Sequence, residues 1–585
     1  MNPWLDGSTV LANEWRLTVP ILLCAFASQA LIGLFLQTIF GDRLTTSERF
    51  ALALGGWTIP LLLLSLLWYF SGWDGLFGVL PAVLLLLILF RLRTDLKPAL
   101  HIPSLFLILF FFLSLLLRLA YASQTDLPLY FDSAQHYLII KTLLLKSQTL
   151  LWGWLSASYY HFGFHFLAAF FAEAADAEIA RVMLIFGQVI LLLIPFPVFF
   201  IVRHETNSDA AGGFALLLAA FGWFMPAHAV NWGKYPALMS VGMLAWLWGM
   251  ALVIFRRQNE FSSTKRRALY VLWAGCAALT VLTHSRSLIL LGIVLLASAI
   301  AAWLDRRSRK WMHAALFAAA VAVALLGWLA SRQSLLAMTF ESYLDQDLPP
   351  TLLVFLLCIP AGMVYPRLTL VSVLTTAGLL ASLFLPVTFV PGYEYSTLLD
   401  RPFVEMILFL PLSVLGGLGL AGLEQRLQGR LLWRRVLVLL AAGLVMVRAV
   451  FGYDLYPSQC CMIVGRDDLA AMDWMAKRLP LDARITIAAG ELKVTVSENS
   501  AGYAGTDAGV WITPLTGRET LLYPLHWNFD HAQLFDFLCR EKVRYIFVGE
   551  TGLSFDRDGF NARPQWYRPL LSMPKTAVYE VTGCE

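Results

Sequence analysis

The chain has 585 residues, a net charge of +4, 59% hydrophobic residues and only 14% charged ones. A soluble protein needs roughly 25% charged residues to cover its surface, so this composition excludes a water-soluble globule and places most of the surface against lipid. The small net charge gives no reason to expect a nucleic-acid partner, and the basic residues cluster in short loops, where they report orientation.

The first apolar run, from Leu17, has an acidic lead-in and no small-residue cleavage site, so it reads as a retained helix rather than a signal peptide. Segments of the roughly 17 to 25 apolar residues needed to cross a bilayer follow one another near 17–40, 50–70, 75–91, 104–121, 181–202, 210–227, 235–255, 268–283, 287–304, 312–330, 351–365, 368–388, 403–423 and 433–451. The expected fold class is a polytopic α-helical membrane protein of about 13–14 transmembrane helices.

Cytoplasmic loops are enriched in Lys and Arg. Four loops qualify: the one with Arg91, Arg93 and Lys97; Arg256, Arg257, Lys265, Arg266 and Arg267; Arg306, Arg307, Arg309 and Lys310; and Arg426, Arg430, Arg434 and Arg435. Placing all four inside threads the chain consistently. The N-terminus, the 121–180 segment, the turn at 284–287, the 331–350 and 389–402 loops and the C-terminal domain then lie outside a plasma (cytoplasmic) membrane. The apolar stretch YYHFGFHFLAAFFAEAADAE from Tyr159 would invert everything downstream if it spanned, so it is expected to be re-entrant or interfacial on the outer side.

From about Gly452 the composition becomes that of a soluble domain. DLAAMDWMAKRL and LFDFLCREK read as helices, and ARITIAA, VRYIFVG and TAVYEVT as strands, giving a small α/β domain of about 130 residues. Of seven cysteines, Cys460, Cys461, Cys539 and Cys584 fall there, where an oxidising exterior allows one or two disulfides. No CxxC or His-rich spacing occurs, so no structural zinc site is expected. The domains are then 1–100, a set of added helices; 101–451, a transmembrane module with its outer loop at 121–180; and 452–585.

Ionisable residues at membrane depth propose a site. Here Arg118, Asp126, Asp132, His136, His161, His165, His228, Lys234, His284, Arg286, Glu394 and Arg401 gather at the outer ends of spans. Asp132 in FDSAQHY reads two ways. With Gln135 three residues on, it matches a capping box; with His136 four residues on, it shares a helical face with an imidazole. Asp126, just before Pro128, reads as a turn residue. His161 and His165 are four apart, either interfacial anchors or substrate contacts, and without a carboxylate they form a weak metal set. In HAVNWGKYPAL, Gly233 permits a tight turn and Pro236 can start a helix. Lys234 there is either a snorkelling side chain or an anion site at a helix N-terminus, with Tyr235 beside it. His284 and Arg286 occupy the very short turn LTHSRSLIL, and Arg401 sits at a helix start, where Asp400 and Glu394 are its alternative partners.

Several cations at one leaflet can hold a phosphate headgroup while its tail lies in lipid, and a carboxylate outside can take a proton from an acceptor hydroxyl. No GxxxxGK[ST] nucleotide loop is present. The stretches RLAYASQTDLPLYFDSAQHY, YYHFGFHFLAAFFA, NWGKYP, DRPFVEM and DAGVWITPLTGRETLL together resemble the GT-C superfamily of integral-membrane glycosyltransferases, over much of 104–585. That resemblance implies an inverting transfer from a polyprenyl-phosphate sugar to a glycan, lipid or protein acceptor. A carboxylate of the first outer loop would act as base, a role that maps onto Asp132, with Asp126 second and His136 beside them. His161, His165, Lys234, Tyr235, His284, Arg286 and Arg401 would contact substrate. Some branches use a divalent cation, which the sparse carboxylates here do not demand. The rival reading is a transporter or flippase of lipid-linked sugars, against which stand the one-sided charges and the lack of an internal repeat.

Overall fold

The structure is a computed structural model that describes residues 2–77, 102–146, 161–332, 343–388, 397–492 and 502–584. Among the described residues, ten helices are long and apolar enough to cross a membrane: Trp15–Phe40, Thr46–Ser71, Leu105–Ser123, Ile179–Thr206, Tyr235–Arg256, Ser287–Asp305, Arg309–Ala330, Gln346–Val364, Arg401–Arg426 and Leu431–Gly452. Ten such helices are the mark of a multi-pass membrane protein. Three more expected spans are helical but shorter or more polar. Asp209–Gly222 and Pro366–Ser382 fall short in length, and Ser263–Thr283 spends its first turn on Lys265, Arg266 and Arg267. The expected span at 75–91, with its basic loop at Arg91, Arg93 and Lys97, lies almost wholly outside the described residues, as do Glu394 and the Tyr159–Tyr160 pair.

Burial sorts the helices into centre and rim. Ile179–Thr206 is wholly surrounded by protein, whereas Leu431–Gly452 is almost bare and presents Leu439, Leu440, Leu444, Val450 and Phe451 outward. Both are apolar through their middle turns, with their charges toward the ends, as suits a core helix or a lipid-facing one. Within Ile179–Thr206, Pro195, lacking an N–H, interrupts the ladder between Ile179–Leu193 and Pro195–Thr206. The N-terminal helices belong to the same core: Leu17, Leu52 and Trp68 are buried in it together with Phe186 and Phe196.

The helices run between two ends. At one, the described basic loops meet: Arg43 pairs with Glu260 at 3.0 Å, Arg256 with Glu205, Arg367 with Asp305 at 3.6 Å and Arg434 with Glu424 at 2.8 Å. At the other lie 122–136, 161–165, 223–235, 284–287, 397–403 and the C-terminal domain. The Gly163–Ala175 helix starts beside Thr283 and hands on to the helix of Arg181, whose guanidinium bonds Ala122 O and Thr125 O, both at 3.1 Å. It enters and leaves at the same end and does not carry the chain across.

The C-terminal domain holds a six-stranded mixed sheet of β1 (Arg484–Leu492), β2 (Gly502–Gly505), β3 (Glu519–Pro524), β4 (Tyr545–Val548), β5 (Tyr567–Ser572) and β6 (Ala577–Val581). β1 runs parallel to β3 and β4, and β6 antiparallel to β4 and β5. The helices Arg466–Arg478 and Ala532–Arg540 stand where the sequence placed them, and a disulfide joins Cys539 to Cys584. This domain grips the Tyr130–Leu144 helix: Lys141 Nζ donates to Pro514 O at 2.8 Å, and Trp511 meets Tyr137 edge to face at 5.6 Å.

Candidate active site

The Tyr130–Leu144 helix begins one turn earlier than a capping Asp132 would require. Its N-cap is Leu129, with no side-chain cap, and Asp132 lies in the first turn. The capping-box reading of Asp132 is therefore corrected: the helix start is set by burial of Leu129 and Tyr130. Tyr130 enters at φ +69°, a left-handed conformation costing a bulky residue about 1–2 kcal/mol, and such strain concentrates at functional sites.

Freed from capping, the Asp132 carboxylate meets Lys234 Nζ in an ion pair. Lys234 stands at the N-cap of the Tyr235–Arg256 helix, with Pro236 in its first turn. Gly233 has φ +66°, and a Cβ there would overlap Ser133 Oγ and come within 3.0 Å of Ser133 N. Only glycine lets this backbone lie directly on the helix that carries Asp132.

The imidazoles form two couples. His136 Nδ1 and His165 Nε2 share a hydrogen bond of 3.0 Å, and His161 meets His284 at 4.6 Å between ring centres. His161 precedes the Gly163–Ala175 helix rather than forming part of it, so a spacing of four does not set His161 and His165 on one helical face. Gly163 packed on Thr283 fixes the helix start two residues too late. Tyr235 stacks on Phe164 at 5.4 Å, and His284 on Phe403 at 5.1 Å. The couples belong to one electrostatic neighbourhood: His284 interacts with His161, Arg286, Lys234 and His136. Burial holds His136 at about 4, and burial with the Arg286 charge holds His161 at about 4. These rings are neutral at pH 7 and serve as hydrogen-bonding groups rather than cations. His284 Nδ1 is buried with no hydrogen-bond partner among the described residues.

The two arginines are paired. Arg286 contacts Asp400 at 2.5 Å and Arg401 contacts Glu405 at 2.8 Å. Asp400 also caps the Arg401–Arg426 helix, accepting from Phe403 N at 2.9 Å. Lys234, Arg286 and Arg401 thus face Asp132, Asp400 and Glu405, three charges against three, and with neutral imidazoles the cluster carries no net charge.

Asp126 is elsewhere. With Gln124, Arg466, Glu550 and Lys575 it lines a cavity of about 770 Å³ between the 123–129 loop and the C-terminal domain. Arg118 is buried, donating to Ala220 O at 2.8 Å beneath Tyr453. His228 turns to Asp454, away from the other histidines. Sequence reasoning had not marked Asp400, Glu405 or Asp454 as site residues: the partners of Asp400 and Asp454 come from segments far along the chain, and Glu405 pairs within its own helix, one turn from Arg401.

Compared with known proteins, the chain matches no protein-family model and no curated protein.

Proposed function

We propose that this protein is a membrane glycosyltransferase, moving a sugar from a polyprenyl-phosphate donor to an acceptor hydroxyl by inverting displacement on the extracytoplasmic face. The observation that supports this reading is the meeting of five distant segments, at Asp132–His136, His161–His165, Lys234–Tyr235, His284–Arg286 and Asp400–Arg401, at one end of the helices. The acceptor is a glycan, a lipid or a protein; the chemistry asks only for its hydroxyl.

In this reading the ion pair is a latch. A donor phosphate entering beside Lys234 competes for the ammonium, and as Lys234 turns to the phosphate the Asp132 carboxylate is released. Asp132 then takes the acceptor proton while the acceptor oxygen attacks the anomeric carbon. The carbon–oxygen bond to phosphate breaks, and Lys234 and Arg286 hold the second negative charge that develops on the leaving phosphate. The neutral imidazoles orient hydroxyl groups without adding charge. These steps draw on the side chains alone and call on no divalent ion.

Replacing the base of such a reaction lowers the rate by about 10²- to 10⁴-fold. Asp132→Asn should remove sugar transfer by that factor while the purified protein stays folded and inserted; transfer at the normal rate would reject the assignment and turn attention to Asp126. Incorporation of labelled sugar by detergent-solubilised protein separates this reading from a lipid-sugar transporter, because transport needs a sealed membrane.

A further inference from the structure

A second polar cluster joins the 223–234 loop to the segment that leaves the Leu431–Gly452 helix. His228 and Cys461 are buried, Cys460 is exposed, and one donor atom from each lies within 4.8 Å of the others. The cluster is braced from behind. His228 Nδ1 pairs with Asp454 Oδ2, and Asn231 Nδ2 donates to the same oxygen at 2.9 Å. Asn231 Oδ1 in turn accepts from the Tyr121 hydroxyl at 2.7 Å and from Ser458 N at 3.1 Å.

We propose that His228, Cys460 and Cys461 bind a zinc ion. The Asp454 carboxylate fixes the orientation of the ring, as outer carboxylates do for metal-binding histidines. Two thiolates and an imidazole select a thiophilic d¹⁰ ion and reject calcium and magnesium, which take oxygen ligands. Two thiolates also balance the charge of a divalent ion, which removes the cost of burying it beside Phe224 and Trp232. The sulfurs stand 2.9 Å apart; a tetrahedral ion with bonds of about 2.3 Å separates two sulfurs by about 3.8 Å. Rotation of the exposed Cys460 provides the difference and leaves a fourth position toward solvent. Spacing rules miss the site because its histidine and cysteines are more than 200 positions apart. The ion would pin the entry to the C-terminal domain onto the loop that ends in Lys234, and it stands independently of the transferase reading.

The test is the metal content of full-length protein in detergent, prepared with a mild reductant and no chelator and dialysed against zinc. About one zinc per chain is expected, bound by the three protein ligands. Cys461→Ser should lower the content at least tenfold, and Asp454→Asn should weaken affinity by roughly 10- to 100-fold. Cys276→Ser, which removes a buried thiol elsewhere, should change nothing. Cobalt in place of zinc should show a thiolate-to-cobalt charge-transfer band that is absent from Cys461→Ser. Wild-type protein holding no more zinc than Cys461→Ser, or equal zinc in every variant, overturns the proposal. So does a Cys460–Cys461 disulfide in protein isolated without reductant that reductant followed by zinc does not convert to the metal-bound form.

Discussion

Gly233→Ala tests whether the Asp132–Lys234 pair is built as described. At φ +66° an alanine costs about 1–2 kcal/mol. Its Cβ would also overlap Ser133 Oγ, and Ser133 is fully buried with its hydroxyl bonded to Leu129 O at 2.5 Å. Moving that hydroxyl sacrifices a buried hydrogen bond worth about 1 kcal/mol, so the total is roughly 2–3 kcal/mol. The chain either carries that cost or lifts the 231–234 backbone away, which separates Lys234 from Asp132. Gly275→Ala is the control: that glycine sits within the Ser263–Thr283 helix with nothing within 4 Å of a new Cβ, and alanine gains about 0.5–1 kcal/mol there. Thermal unfolding in one detergent, followed by tryptophan fluorescence, should show Gly233→Ala melting several degrees below wild type and Gly275→Ala at or above it. Sugar transfer should fall more than tenfold in the first and not in the second. If Gly233→Ala melts with wild type, the backbone does not lie on the helix and the latch is wrong.

Further outcomes follow from buried groups. Asp507 in the C-terminal domain is pushed up to about 7, chiefly by burial against the hydrogen bonds of Ser554 and Gly509. A raised carboxyl contributes stability that is present below about pH 4 and lost as pH rises through 7, up to about 4 kcal/mol; Asp507→Asn should flatten that slope in denaturant melts between pH 5 and 8, and an unchanged slope would reject the assignment. His136 works in the opposite sense. Burial lowers it to about 4, so its contribution is present above about pH 6.5 and lost as pH falls through 4, about 3 kcal/mol in all; His136→Gln should melt with less acid sensitivity than wild type. Cys539 and Cys584 close a loop of 45 residues, worth about 4 kcal/mol by chain entropy; Cys539→Ser with Cys584→Ser should unfold the C-terminal domain at markedly lower denaturant, and an unchanged midpoint would show that the disulfide carries no stability.

The ten long helices were legible because bilayer thickness fixes the length of an apolar run, whatever its neighbours. The division into two ends was legible from Arg256, Arg306 and Arg426, since basic loops share a side. Asp132, Lys234, His284 and Arg286 stood out because polar groups at helix ends are costly there. Which of them pair, and with what, did not. Arg286 finds Asp400 only because packing brings together helix ends more than a hundred residues apart. The capping pattern at Asp132 is local, and burial of Leu129 and Tyr130 overrode it. In the C-terminal domain β1, β4 and β6 announced themselves as β-branched or aromatic runs, whereas β2 is only Gly502–Gly505, and β3 and β5 carry Pro524 and Pro569, which argue against a strand.

The grip of Pro514 on Lys141 has a consequence for how the protein is made. The two residues are separated by 373 positions. At roughly 5 to 20 residues per second of synthesis, the Tyr130–Leu144 helix waits about 20 to 75 s for its cover. During that wait its docking face, Tyr137 included, is open to any chaperone or protease on that side. The face carrying Tyr137 and Lys141 is therefore synthesised early and covered late, and a chain cut short before Trp511 would leave it uncovered.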